Sequence, residues 1–270
     1  MRKARPLRRG ITAALVGLAL TGSAVAVRPA PALADANYEV FVQFFISAYD
    51  KGRDGSYSLA ELNELVQQAI SAVNGAKSDV LVRLDRQLTS ELRGKAEAAV
   101  TKVELLKVPW LAGPAINSTH DAAYSAKAHI ATVAGQDAEL DAVGRAMIVL
   151  FTELNAAYLM VDAEEGTNAA AVQRPYLRQG LEQLIREMQP ECGRNTLPSA
   201  GYVSYVCSFN GRTVRAEYWS GSNSYRIDGG DAIPGQINQD LVQDYLMANT
   251  VLPNAERLLA ELIRQGVRLP

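Results

Sequence analysis

The spacing of apolar residues changes from a helical period to a strand period near residue 201. Before that point apolar side chains recur every three or four residues, as on the buried faces of amphipathic helices. After the strand-like region the helical period returns. The pattern predicts helices at 37–49, 58–73, 79–107, from 118 or 119 to 134, 137–161, 170–188, 237–248 and 254–265.

Local signals set the predicted boundaries of these helices. Asn74-Gly75 is a typical helix stop and is expected to end the second helix. Pro109 and Pro114 bracket a predicted connection. Ser118 or Thr119 is then expected to cap the next helix.

The region from 201 to 228 alternates apolar and polar residues, as a half-buried strand does. Asn210-Gly211 predicts a two-residue hairpin turn, which places Cys207 opposite Val214. A second turn at 220–223 leads to a third strand, 224–228, which continues the apolar face. The sequence thus predicts a three-stranded antiparallel meander.

The expected fold class is mainly α: a helical bundle or array, with this small meander near the C-terminus. A chain of 270 residues with 48% apolar and 21% charged side chains has room for one or two domains. The natural division separates a helical part, 35–189, from a disulfide-tied part, 190–270, that holds the meander and two closing helices. The sequence leaves open whether these are separate domains.

Residues 1–34 have the order of a secretory signal peptide. A basic start precedes an apolar run at 11–20, and Ala32-Leu33-Ala34 is a small-residue cleavage site. We therefore expect cleavage after Ala34 and a secreted protein. Arg8-Arg9 leaves twin-arginine export open beside the general secretory route, and the Ala- and Arg-rich composition is typical of a bacterium.

Charge narrows the range of partners. Removing residues 1–34 takes away six basic and no acidic side chains, so the net charge falls from −2 to −8. An acidic exported protein is a poor candidate for binding nucleic acid or anionic membrane and a better candidate for binding cations or basic partners. No membrane span is predicted after the signal peptide, since the apolar run near residue 150 is interrupted by Glu153 and Asn155.

The segment 50–61, DKGRDGSYSLAE, has the spacing of a calcium loop. Such a loop curls oxygen ligands around a hard cation, with glycine at the sharp bend in position 6, here Gly55. The predicted ligands at positions 1, 5, 7, 9 and 12 are Asp50, Asp54, Ser56, Ser58 and Glu61.

This segment resembles the EF-hand family, over residues 37–70 at most. The resemblance implies a calcium ion held between two helices. The segment departs from the EF-hand pattern at position 3, where Gly52 offers no side-chain oxygen, and at position 8, where Tyr57 replaces an aliphatic residue. The segment Ser58-Leu59-Ala60-Glu61 is also a capping box, so a capped turn without metal remains the alternative.

The two cysteines, Cys192 and Cys207, are expected to form a disulfide in an exported protein, with two free thiols as the alternative. Cys207 lies on the predicted apolar face of the meander. Cys192 is therefore expected to fasten the end of the helical body underneath the sheet.

A second motif, His120-Asp121-x-x-Tyr124, resembles the active-site helix of secreted calcium-dependent phospholipases. The cysteines and glycine-rich loop that accompany it in that family are missing here. The alternative is an exposed first helical turn, where Asp121 favours the helix N-terminus. The acidic run at 162–165 has the wrong ligand order for a second calcium loop and is interpreted as a solvated helix end.

Three aromatic residues of the meander, Tyr202, Trp219 and Tyr225, are candidates for a protein or glycan platform, with ordinary packing as the alternative.

The sequence contains no serine nucleophile elbow, zinc signature or phosphate loop. The expected function is therefore a secreted, non-catalytic, calcium-binding helical protein. The alternatives are a metal-free extracytoplasmic binding or cell-surface interaction protein and, third, a calcium-dependent lipolytic enzyme that uses His120 and Asp121.

Overall fold

The computed structural model describes residues 36–52, 57–87, 90–108 and 111–270, and the predicted signal peptide lies outside them. The fold is mainly helical, as predicted, with an antiparallel sheet near the C-terminus. The helices described are α1 (Ala36–Gly52), α2 (Leu59–Gln87), α3 (Ser90–Val100), α4 (Ala112–Thr132), α5 (Asp137–Glu165), α6 (Ala169–Glu187), α7 (Gln239–Met247) and α8 (Leu252–Arg264). The strands are β1 (Glu191–Leu197), β2 (Tyr202–Phe209), β3 (Arg212–Trp219), β4 (Ser224–Ile227) and β5 (Ile233–Pro234).

Helix α5 is the centre of the helical body, and α1, α2, α3, α4 and α6 all pack against it. It is buried on nearly every side between Leu140 and Met160. By length and composition it could cross a membrane, yet 78% of its most apolar window is buried inside the fold. A core helix of a soluble protein has the same character. The absence of a membrane span therefore stays a prediction.

Helix α2 continues through Asn74-Gly75, so the predicted helix stop is wrong. The apolar stripe does not break there, because Val73 and Ala76 are both buried. Packing against α5 outweighs a glycine penalty of about 1 kcal/mol. The Asn74 amide donates to Glu104 Oε1 at 2.6 Å instead of capping the helix.

Helix α4 begins at Ala112, well before the predicted caps at Ser118 and Thr119. Pro114 lies in its first turn, where a backbone N–H has no helical partner and proline is tolerated. The Ser118 hydroxyl donates back to the Pro114 carbonyl at 3.0 Å. Sequence reasoning treated this proline as a helix breaker because it could not see which turn it occupies.

The sheet has five strands in the order β1-β2-β3-β4-β5, not three. The predicted register is confirmed: Cys207 pairs with Val214, and Tyr225 pairs with Tyr218. The sequence pattern did not predict strand β1, because all its residues are exposed and they show no alternation of apolar and polar side chains. Strand β5 was missed because it is only two residues long.

The disulfide between Cys192 and Cys207 is formed. Its predicted placement is wrong, however, because Cys192 lies in β1 and is the direct cross-strand partner of Cys207. The bond therefore joins two neighbouring strands, and no link to the helical body passes through it. Its effect is to hold the exposed edge strand on the sheet.

Other contacts attach the sheet to the helices. Helix α7 packs on β2 and β3, burying Val242 and Leu246 against the apolar face. At the hairpin turn, the Asn210 backbone N–H donates to Asp137 Oδ2 at 2.7 Å, at the start of α5. Helix α8 packs on α1 and α6, so the chain ends against the helical body.

Helices α1 and α2 run antiparallel and touch at both ends of α1. At the start of α1 the Tyr38 hydroxyl donates to Asp79 Oδ2, 3.4 Å away on the distal part of α2. At the other end the Tyr57 hydroxyl donates to the Ala48 carbonyl oxygen. The two helices are therefore packed side by side along the length of α1.

A fully buried arginine joins these elements. Arg145 on α5 is 0% exposed, and its Nε donates to Asp141 Oδ2 at 2.9 Å. Its Nη2 donates to the Asn249 carbonyl at 2.8 Å, in the connection between α7 and α8. Asp141 Oδ1 accepts from the Val251 backbone N–H at 2.6 Å in the same connection. The guanidinium also lies 4.9 Å from the ring centroid of Tyr38.

We expect Arg145→Met to destabilise the protein by roughly 3–5 kcal/mol, since it leaves Asp141 buried with its main charge partner removed. Arg83→Met is the matched control, because the Arg83 side chain is 36% exposed and pairs with the same Asp141 at 3.3 Å. We expect that control to cost less than about 1 kcal/mol. Urea unfolding followed by circular dichroism measures both. Equal losses in the two variants would show that burial of Arg145 is not the cause.

Candidate functional site

The segment between α1 and α2 carries the predicted calcium ligands. Helix α1 ends at Gly52 and α2 begins at Leu59. Asp54 and Ser56 lie outside the described residues, and so does the side chain of Asp50. The convergence of the ligand oxygens around Gly55 is therefore untested and stays a prediction.

The end of this segment is described, and it forms a capping box. The Ser58 backbone N–H donates to Glu61 Oε2 at 3.0 Å, and the Ser58 hydroxyl donates to the same oxygen at 2.7 Å. In return the Glu61 backbone N–H donates to Ser58 Oγ at 3.3 Å. These bonds satisfy N–H groups that α2 itself leaves without acceptors. Glu61 thus reaches back toward the loop, and both bonds from Ser58 end on the same carboxylate oxygen.

Tyr57, the residue that departs from the EF-hand pattern at position 8, fastens the loop to α1. Its half-buried hydroxyl donates to the Ala48 carbonyl oxygen. Burial raises the pKa of this hydroxyl, and Arg174 acts in the opposite direction. The loop is thus closed at its base by a hydrogen bond between side chain and backbone.

Positive charge lies beside the base of the loop. The guanidinium carbons of Arg174 and Arg264 are each 6.0 Å from the ring centroid of Tyr49, the residue before the first predicted ligand. Burial lowers the pKa of Arg174, while Tyr57 raises it. Arg264 is compensated by Glu261, with Nη2 and Oε1 2.6 Å apart. Cations this near would oppose the binding of a divalent ion to the predicted calcium loop.

No cluster of three or more His, Cys, Asp or Glu that could hold a metal occurs within the described ranges. Asp162, from the acidic run at 162–165, binds the start of α6 instead. Its Oδ1 accepts from the Ala169 N–H at 2.6 Å and its Oδ2 from the Ala170 N–H at 2.9 Å. Glu164 and Glu165 are exposed.

His120 and Asp121 are exposed in the middle of α4, so their predicted place in a first helical turn is wrong. The His120 ring stacks on Tyr124 with 4.4 Å between centroids. Asp121 Oδ2 lies 3.7 Å from Lys95 Nζ. Within the described ranges, the recorded contacts of this pair are thus ordinary helix-surface contacts.

The three aromatic candidates do not form one platform. Tyr202 and Trp219 are cross-strand partners on the polar face, 5.8 Å apart between ring centroids, and Trp219 is 38% exposed. Tyr225 points to the opposite face and is only 2% exposed. The strand alternation that places Tyr225 in the core separates it from the other two.

A cavity of about 130 Å³ opens on the apolar face of the sheet, where the chain approaches α7. Its walls are the sheet side chains Arg194, Val203, Tyr205 and Tyr218 and the residues Gln236, Ile237 and Gln239. Sequence reasoning missed it because the wall residues come from separate segments. Arg194 in particular lies on the strand that the pattern did not predict.

A buried carboxyl group was also missed as a site. Glu153 on α5 is 0% exposed, and Oε1 accepts from the Thr119 hydroxyl at 3.0 Å. Oε2 has no hydrogen-bond partner in the described part of the chain. Burial raises the pKa of Glu153 to about 7. The only sequence signal of this buried carboxyl group is the position of Glu153 within an apolar helical stretch.

Comparison of the chain with models of protein families, with curated proteins and with solved structures gave no significant match.

Burial of Glu153 predicts a pH dependence of stability. The folded-state pKa of about 7 exceeds the ordinary value of 4.5, so the folded state keeps its proton where the unfolded state has lost it. The contribution of Glu153 to stability is then fully present below about pH 4.5 and is lost as the pH rises to about 7, a change of about 3 kcal/mol. Glu153→Gln, which cannot ionise, should remove this fall.

Urea unfolding at a series of pH values from about 4 to 8 measures this effect. Glu165→Gln is the control, because it removes an exposed carboxylate from the end of the same helix. We expect the control to follow the wild-type profile. A Glu153→Gln profile that falls as steeply as the wild type would assign the pH dependence to other groups.

Proposed function

We propose that this protein is an exported, non-catalytic calcium-binding protein in which one ion joins the end of α1 to the start of α2. The observation that carries the proposal is the arrangement at the exit of the loop. There Glu61 is turned back onto Ser58, so the residue at position 12 is held beside the residue at position 9.

The donor set suits a hard cation. The carboxylates of Asp50, Asp54 and Glu61 match the spacing of a calcium loop, together with the backbone carbonyl of Ser56 and a water held by Ser58. Glu61 would supply two oxygens, while Ser58 holds a water at position 9. The missing ligand at Gly52 and the cationic side chains near Tyr49 both reduce affinity, so we expect the range of extracellular modules, about 10⁻⁴ to 10⁻³ M.

Calcium bound at this affinity would stabilise the fold rather than switch the protein between two conformations. The packing of α1 against α2 already extends from Tyr38 to Ala48, so little helix movement is left for an ion to induce. Export would also place the site where calcium is abundant. The disulfide between Cys192 and Cys207 is compatible with an oxidising compartment and supports this part of the proposal.

The second candidate is a metal-free extracytoplasmic binding protein, and two observations favour it. The capping box alone accounts for Ser58 and Glu61. Arg174 supplies positive charge close to the loop without any metal. On this proposal the acidic loop residues would serve as partners of these cations.

Glu61→Gln separates the two candidates, because glutamine can still form the capping box but cannot supply a charged bidentate ligand. With about 2 mM calcium, wild-type protein should gain about 0.6–1.8 kcal/mol, or roughly 1–7 °C in melting temperature. The Glu61→Gln variant should lose this gain. Glu64→Gln, which removes the same charge from α2 beyond the loop, should keep it.

The measurement is thermal unfolding of the oxidised protein in calcium and in EDTA. Asp54→Asn provides a second variant that leaves the capping box untouched, and it should also lose the calcium response. If the wild type melts at the same temperature in calcium and in EDTA, the calcium proposal is wrong and the metal-free candidate stands.

A further inference from the structure

The cavity on the apolar face of the sheet is lined by both polar and apolar side chains. Tyr205 and Tyr218 are 7% and 8% exposed, so their rings form a largely buried wall. Val203 and Ile237 add apolar surface, and Gln239, the first residue of α7, lies at the edge. At about 130 Å³ the cavity is slightly smaller than an engineered apolar cavity of about 150 Å³ that holds benzene.

The two tyrosine hydroxyls differ in the hydrogen bonds that they already form. Tyr218 donates to Asn223 Oδ1 at 3.2 Å and accepts from Gln236 Nε2 at 3.3 Å, so both of its roles are taken. Tyr205 accepts from Gln243 Nε2 at 3.1 Å, and its own proton has no acceptor in the described part of the chain. Among the described residues, Tyr205 is therefore a nine-tenths buried donor without an acceptor.

Arg194 adds an uncompensated positive charge at the same cavity. It is the cross-strand partner of Tyr205, so the guanidinium and the free hydroxyl belong to adjacent strands. Arg194 makes no hydrogen bond or ion pair with any residue that the structure describes. None of the wall residues carries a carboxylate. The cavity thus presents donors and positive charge without an acid to neutralise them.

We propose that this cavity binds the carboxylate of a small organic acid, with Arg194 and the Tyr205 hydroxyl as its donors. An arginine fork and a phenolic O–H both suit a planar carboxylate. The tyrosine rings and the side chains of Val203 and Ile237 can contact the body of such an acid, which inorganic phosphate lacks. A free aromatic acid and the C-terminus of a short peptide share this chemistry.

The inference is independent of the proposed calcium site, because no residue of the cavity belongs to the segment 50–61. Since Arg194 is exposed, solvent screens its charge, and a ligand of about nine non-hydrogen atoms is expected to bind with a dissociation constant in the millimolar range. Weak binding of this kind is measurable by nuclear magnetic resonance.

The test is titration of the oxidised, ¹⁵N-labelled protein with sodium benzoate up to about 50 mM at constant ionic strength. We expect amide shifts at Arg194, Tyr205 and Gln239. Benzamide, which has the same shape without the charge, should bind at least tenfold more weakly, and sodium phosphate should not shift these amides. A short peptide with a free C-terminus, compared with its amidated form, tests the second source of carboxylate.

Arg194→Gln should weaken benzoate binding at least tenfold, and Tyr205→Phe should weaken it several-fold while keeping the ring. Arg226→Gln is the matched control, since it removes an exposed arginine from the opposite face of the same sheet. Binding of either benzoate or the free peptide that depends on Arg194 supports the proposal. Equal affinity for benzamide, retained binding in Arg194→Gln, or no carboxylate-dependent shift with either ligand overturns it.

Discussion

The architecture depends on keeping the charge of Arg145 compensated inside the protein. A guanidinium with no solvent contact must find its partners from the surrounding elements, and here they come from different parts of the sequence. Asp141 lies one turn away on α5, whereas the Asn249 carbonyl belongs to the connection between α7 and α8. Asp141 also accepts a hydrogen bond from the Val251 backbone N–H, so both Arg145 and Asp141 form hydrogen bonds to this connection. The C-terminal helices are thereby held against the helical body by specific polar bonds as well as by apolar packing.

The same cluster positions the first helix hairpin. Tyr38 contributes its ring to Arg145 and its hydroxyl to Asp79, so the start of α1 is fixed against α2 and α5. At the far end Tyr57 holds the end of α1 to the loop. A segment anchored at both ends in this way can be stiffened by an ion but has little freedom to open. This geometry is the reason a structural role for calcium agrees with the fold better than a sensing role.

Two buried acids of α5 illustrate how local surroundings decide the behaviour of a carboxyl group. Asp141 Oδ2 accepts from Arg145 at 2.9 Å and from Arg83, and its Oδ1 accepts from the Val251 backbone N–H. Glu153, further along the same helix, has one hydroxyl donor and no cationic partner among the residues that the structure describes, and burial raises its pKa to about 7. The first acid is the ion-pair partner of Arg145, whereas burial favours the protonated form of the second. The distinction depends partly on Arg145, which lies one turn from Asp141 on the same helix, and partly on contacts from α4 and from the α7–α8 connection.

The sequence by itself determined the features that depend on neighbouring residues. Helical periodicity located most of the helical body, and Asn210-Gly211 fixed the register of β2 and β3, because turn chemistry and side-chain alternation are local. Ser58 and Glu61 likewise revealed their capping box through spacing alone. Tertiary structure decided the rest. Packing against α5 carried α2 past Asn74-Gly75, and pairing with β2 made a strand of the exposed residues that contain Cys192. The burial of Arg145 and the cavity beside Arg194 arise from segments far apart along the chain, and no local pattern encodes such contacts.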